Sequence, residues 1–215
     1  MCMATADMFP LTEEQKLLLS DPEGIFAPLF DYFNAQTAAA VGTVASGTCG
    51  KNLTWVLDDE GTLTISGTGE MWDFEEYAEI PWRDFCTEIS SVEVESGVTS
   101  IGDRAFSDFY VLRSMELPDT LRTIGTHAFE SCTDLETITI PEGVESISAY
   151  AIWCCENLQS IIIPASTRNI EEGNLKSCIR LQSITVTPGN DAYSSIDGVL
   201  FNAEGTELLK YPEGK

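Results

Sequence analysis

The sequence predicts a solenoid of short parallel strands stacked at a constant 23-residue step, with a β-hairpin closing its first rung. Three observations predict it. Ile101, Ile124, Ile147 and Ile170 recur 23 apart, and so do Leu112, Leu135, Leu158 and Leu181. Met115, Ile138, Ile161 and Ile184, with Leu117, Ile140, Ile163 and Val186, keep the same step two residues apart. Pro118, Pro141 and Pro164 follow each pair, and Ala105, Ala128 and Ala151 fall in a further column. Many columns agreeing on one period mean one structural unit per period.

Residues 1–45 stand apart from the repeat. Thr12 with Gln15 forms a capping box ahead of a short apolar run, which predicts a helix to about Ser20, and Asp21-Pro22-Glu23-Gly24 breaks it. Ile25, Phe26, Leu29, Phe30 and Phe33 then recur at helical spacing, with Pro28 in the first turn. Two readings stay open for this arm: a helix pair or loose arm against the solenoid end, or a partner-binding helix. The stretch "NAQTAAAVGTVASG" reads as a linker. Asn52 to Leu57 and Thr62 to Ser66 alternate around Asp58-Asp59-Glu60-Gly61, which predicts a hairpin able to cover the open edge of the first rung.

Five rungs then begin at Ile89, Leu112, Leu135, Leu158 and Leu181. Within each unit the pattern is L-x-x-I-x-I-P, V-x-x-I-G, then x-x-A-F-x-x-C. The I-x-I alternation is a strand with one buried face, and the Pro removes the next ladder donor. So short a strand cannot bury its face alone, so rungs must stack. The A-F-x-x-C segment predicts a single helical or 3₁₀ turn on the convex side. At the end, Val199 to Asn202 and Glu207 to Lys210 flank Ala203-Glu204-Gly205 as a second hairpin.

"IPEGVESISAYAIWCCENL" and "LPDTLRTIGTHAFESCTDL" resemble, nearly column by column, the unit of the BspA-like bacterial leucine-rich repeats. "SGTCGKNLTWVLDDEGTLTISGTGEMWDF" and "PWRDF" resemble the leader module that precedes such repeats, and "AYSSIDGVLFNAEGTELLKYPEGK" the hairpin insert found between repeat blocks. Over residues 46–215 the resemblance implies a leucine-rich-repeat solenoid with an N-terminal β-hairpin cap, while residues 1–45 depart from the family and read as a short helical arm and linker. The chain thus divides into 1–45 arm and linker, 46–86 cap module, 87–190 repeats and 191–215 C-terminal hairpin insert. Such proteins resume repeats where this chain stops at Lys215, which points to a naturally short protein or a fragment.

Chemistry is sparse in the sequence. Eleven Lys and Arg against 35 Asp and Glu give a net charge of −24, which repels nucleic acid and anionic lipid. No uninterrupted apolar run approaches the roughly 18 residues of a membrane span, and no export signal is visible near Lys16 and Leu17-Leu18-Leu19. His127 is the only histidine, in a column with Arg104, Tyr150 and Gly173, and reads as an exposed convex residue rather than a catalytic base. No phosphate-binding glycine loop occurs, and the cysteine spacings are not those of zinc sites. Asp58-Asp59-Glu60 lacks the register of a calcium loop and reads as a solvated hairpin tip. Asn52-Leu53-Thr54 matches a glycosylation acceptor, a motif frequent by chance.

These readings predict no enzyme, no metal and no cofactor. Cys132, Cys155 and Cys178, with Cys86 in the same column, are expected as free buried thiols, because in-register side chains point in parallel rather than at each other. Trp72, Phe74, Tyr77, Trp82 and Phe85 read as core of the cap, with a ligand platform as the other use. The surface able to bind is the strand face. Its outward residues are Ser91 and Glu93, Ser114 and Glu116, Thr137 and Thr139, Ser160 and Ile162, and Ser183 and Thr185. Glu93, Glu116, Thr139, Ile162 and Thr185 are the candidate ligand-binding residues, with Ile162 the apolar anchor. The resemblance implies a non-enzymatic adhesion or host-interaction protein of the bacterial surface that binds protein or glycan; an intracellular protein-interaction scaffold is the other class.

Overall fold

A computed structural model describes residues 42–215. The helical arm expected before residue 42 lies outside the described residues. The first strands are β1 (Thr43–Gly50), β2 (Leu53–Asp58) and β3 (Thr62–Gly67), and β2 and β3 coincide with the expected hairpin. The first part of β1, Thr43 to Gly47, falls in the stretch that reads as linker, yet β1 pairs antiparallel with β2. Its small residues have a packing reason: a Cβ at Gly47 would stand 2.8 Å from Trp55 Nε1, so only glycine lets that indole lie beneath the strand.

The I-x-I segments form β5 (Ser91–Val94), β7 (Ser114–Glu116), β9 (Thr137–Thr139), β11 (Ser160–Ile163) and β13 (Ser183–Val186). β3 pairs parallel with β5, so the hairpin does cover the first rung. β5 pairs with β7, and β9, β11 and β13 pair in one register. Among the described residues β7 and β9 do not pair, which leaves a fault in this ladder.

A second ladder went unread in the sequence. It comprises β4 (Gly69–Glu70), β6 (Val98–Ile101), β8 (Thr123–Ile124), β10 (Ser146–Ile147) and β12 (Asn169–Ile170), parallel and continuous from the cap to the coil of the fourth rung. The V-x-x-I segment builds it. The glycine after it is there for close approach: a Cβ at Gly102 would lie 1.9 Å from the Trp72 carbonyl oxygen, and one at Gly125 would lie 2.6 Å from Asp103 N.

The convex side corrects the expectation of a helical turn. Alternate N–H groups leave the turn and bond to the next coil: Arg104 to Thr126 O at 2.9 Å, Phe106 to Ala128 O at 2.9 Å and Asp108 to Glu130 O at 2.8 Å. Ala105 and Ser107 close the local bonds to Gly102 and Arg104 instead. This pattern repeats down the coils and puts Arg104, His127 and Tyr150, then Asp108, Ser131, Cys154 and Ser177, in the left-handed region with φ between 56° and 62°. An intercoil bond per alternate residue offsets the roughly 1–2 kcal/mol such a backbone costs. The 3₁₀ turns among the described residues are in the cap, at Tyr77–Glu79 and Arg83–Phe85.

The core runs continuously through the coils. Ile89, Leu112, Leu135, Leu158 and Leu181 are fully buried, and each such side chain contributes about 1.5–3 kcal/mol relative to exposure. Trp82 of the cap stacks on Phe106 at 5.5 Å, and Phe106 on Phe129 at 5.8 Å, so one aromatic spine joins cap to repeats. The chain ends in β14 (Tyr193–Ile196), β15 (Val199–Asn202) and β16 (Leu208–Lys210), an antiparallel sheet against the last rung; of these β14 was not expected.

Candidate functional site

The strand face follows directly from the ladder register. Thr64 lies opposite Glu93, and Glu93 opposite Glu116; past the fault, Thr139 lies opposite Ile162, and Ile162 opposite Thr185. The parallel row is Thr62, Ser91 and Ser114, then Thr137, Ser160 and Ser183. Residues alternate across a strand, so Val92, Met115, Ile138, Ile161 and Ile184 point inward and are buried. Glu93, Glu116, Thr139, Ile162 and Thr185 are all exposed. Ile162 keeps 50% of its surface in water, flanked on both sides by threonine.

This face is laterally ordered by side chains as well as backbone. Ser114 Oγ donates to Ser91 Oγ at 3.0 Å, tying the first two coils on the water side. The register extends the row onto the cap, where Val56 lies opposite Thr64 and Ser46 opposite Val56. Sequence reasoning missed this extension; the alternation of Thr62 and Thr64 with buried Leu63 and Ile65 carried the signal.

The other residues weighed for chemistry settle into structural roles. His127 is partly buried rather than exposed: its ring stacks on Tyr150 at 5.2 Å and 6°, and its Nδ1 lies 2.8 Å from Glu130 Oε2. Buried Ser107 donates to that same Glu130 oxygen at 3.3 Å. The carboxylate thus stands between hydroxyl and imidazole, so the histidine has no path to the serine proton, and the trio lacks the order of a nucleophile relay. The column of Arg104, His127 and Tyr150 shares a backbone conformation, not a chemistry.

Cys132, Cys155 and Cys178 are fully buried free thiols, and Cys86 is half-buried. Their Sγ atoms donate to the carbonyls of Phe106, Phe129 and Ile152. Burial pushes the Cys132 thiol well up, and pushes Cys49 up to about 12. Cys155 is also raised, by its hydrogen bond to Cys178 and then by burial. In the cap, Phe74 and Trp82 are core, whereas Trp72 and Tyr77 face water. The Asp58 carboxylate accepts the N–H groups of Glu60 and Thr62 at 3.0 and 2.8 Å, which closes the hairpin tip. Among the described residues no group of three or more His, Cys, Asp or Glu is arranged to hold a metal, and no helix is long and apolar enough to cross a membrane.

Comparison with known proteins agrees with this architecture. No curated protein matches the chain. A leucine-rich repeat protein from Eubacterium ventriosum is 30% identical with a TM-score of 0.64, over 80% of this chain and 52% of that one, so the chain spans about half its length. The Treponema pallidum leucine-rich repeat protein is 24% identical, with a TM-score of 0.50 over 64% of this chain and 70% of that one. The pneumococcal vaccine antigen PcpA is 20% identical, with a TM-score of 0.52 over 81% of this chain and 57% of that one. The last two likenesses speak for the fold. Residues 83–204, more than half of the chain, match six copies of the BspA type leucine-rich repeat region, and the chain belongs to that family.

Proposed function

We propose that this repeat solenoid binds a protein or glycan ligand at a bacterial surface, through the strand face centred on Ile162. The observation that carries the reading is the exposure of Ile162, at 50%, between Thr139 and Thr185 on the in-register strands β9, β11 and β13. Burying an isoleucine ringed by hydroxyls excludes water at the centre of a contact while the rim stays polar, the arrangement that concentrates binding energy in few residues. The strand beneath, β11, is hydrogen-bonded to neighbours on both sides, which limits the ordering lost on association. Glu93 and Glu116 give one end of the row two negative charges, which suits a basic or neutral partner there. The location is inferred from membership of the BspA type family.

The test is a screen of the purified chain against extracellular-matrix proteins and glycans, followed by Ile162→Glu and by Glu93→Lys with Glu116→Lys. Loss of binding by the first, at an unchanged melting temperature, supports the reading. If both variants fold and bind like the parent, the contact surface lies elsewhere.

A further inference from the structure

Among the described residues the outermost strand of the cap has an open edge from Val44 to Thr48. Among the described residues β1 is the terminal strand of its sheet, with β2 as its partner strand, and Val44 to Thr48 make no hydrogen bond on their outer side. Beyond them the edge closes, because Gly50 bridges Met71 and the Trp72 N–H donates to the Cys49 carbonyl at 2.8 Å. Proteins ordinarily blunt such an edge with charge, proline or brevity. β1 runs for eight residues, TVASGTCG; its register shifts fall at its two ends, between Thr43 and Ala45 and between Thr48 and Gly50, and it carries no charged side chain and no proline. In a chain of net charge −24 that is the unusual feature.

We propose that two copies of this chain pair antiparallel through β1, about a two-fold axis at Ser46. Three observations select a second copy as the occupant. The segment is free of charge, so two strongly acidic molecules meet there without opposing carboxylates. A two-fold axis at Ser46 uses the open stretch Val44 to Thr48 of each chain and stops where Met71 and Trp72 close the edge. Opposed residues must also share a face, and Ser46 opposite Ser46, with Val44 opposite Thr48, meets that condition. The same register brings Val44 of each copy to the Trp72 end of the other, and these two side chains are 48% and 47% exposed in the single chain. Antiparallel pairing continues the order already present between β1 and β2. An axis perpendicular to the sheet leaves the two strand faces on one side of the dimer.

The experiment is sedimentation velocity of the full chain over a range of concentrations, with melting curves alongside. The expected result is a concentration-dependent dimer that Ser46→Glu weakens about tenfold or more, by setting like charges opposite each other. Trp72→Ala weakens it too, and neither change shifts the monomer's melting temperature. Ser46→Cys, oxidised with copper phenanthroline in air, should give a disulfide joining the two substituted positions, identified by peptide mass spectrometry. A chain that remains monomeric throughout overturns the proposal, as does a dimer indifferent to both Ser46→Glu and Trp72→Ala. A monomer whose β1 amides resist hydrogen exchange also overturns it, and would assign the edge to the chain's own residues 1–41.

Discussion

The phenol oxygen of Tyr193 accepts the backbone N–H of Ile170 at 2.8 Å, and Tyr193 follows Ile170 by one repeat period. A tyrosine therefore stands where the next coil would place its isoleucine, and its hydroxyl replaces the missing ladder acceptor. Asn190 acts alike, donating to the carbonyls of Pro164 and Thr167 at 2.8 and 3.0 Å. Tyr193→Phe should lower stability by about 1–2 kcal/mol, because it leaves a half-buried N–H without its partner. Hydrogen exchange at the Ile170 amide checks it: exchange there should quicken more than at Ile124.

Glu213 closes another part of the same end. Its Oε1 lies 2.9 Å from Lys210 Nζ and accepts the Ser177 N–H at 3.0 Å. The Lys210 hydrogen bond holds its carboxyl below the usual 4.5, so the folded state favours the ionised form. A depressed carboxylate contributes stability that is present above the unfolded value and lost as pH falls through the folded one. Acidification below about pH 4.5 should therefore loosen the C-terminal sheet. Glu213→Gln should flatten that dependence, read as exchange of the Ser177 amide against pH.

Much of this architecture was legible because the repeat writes each buried column several times. The five rungs and buried thiols follow from that redundancy, and the two hairpins from alternation around their turn residues. What was missed lacked a period or a residue-type signal. β8, β10 and β12 are two-residue strands in a V-x-x-I spacing that shows no alternation. The first part of β1 is built of small residues that read as linker until Trp55 is seen beneath Gly47. The left-handed positions hold Arg, His, Tyr, Asp, Ser and Cys, where sequence reasoning looks for glycine or asparagine; intercoil hydrogen bonds impose that backbone whatever the residue. The strand-face residues were legible by phase, whereas the row's continuation onto Val56 and Ser46 depended on pairing that only the structure displays.

Ile138 and His127 should separate core from surface. Ile138→Asp places an unpaired carboxylate in the core at a position 3% exposed and should cost several kcal/mol, melting the coils together. His127→Ala removes the stack on Tyr150 and the contact to Glu130, and should cost about 1 kcal/mol. Similar melting temperatures for the two variants would contradict the burial described for Ile138.

The thiols should differ in reactivity in a defined order. Cys154 and Cys86, partly exposed, should label first in the native state. The buried column of Cys132, Cys155 and Cys178 should wait for unfolding. Raised thiol values also set a direction with pH. Folded Cys49 holds its proton to about 12 against 9.0 unfolded, so stability is full below the unfolded value and falls as pH rises toward the folded one. Melting temperature should drop as pH rises from about 9 toward 12, and less so in Cys49→Ala.

Between β7 and β9 the first ladder loses its pairing while the second ladder runs unbroken through β8 and β10. The coils on either side of the fault are therefore held by one sheet and the convex turns rather than by two sheets. Glu116 lies at its margin, directly opposite Glu93 in the parallel register, so two exposed carboxylates face each other one rung from the unpaired edge. Like charges placed opposite one another on a sheet destabilise it by a few tenths of a kcal/mol to about 1. Amides of Thr137–Thr139 should accordingly exchange faster than those of Ser160–Ile163, which pair on both sides. Glu116→Thr, which copies the residue of the next coil, should raise the melting temperature slightly and slow exchange at Thr137–Thr139. Added salt should do the same to the parent and little to the variant. Equal protection of β9 and β11 in the parent would show that the two halves of the strand face are joined as firmly as the second ladder is.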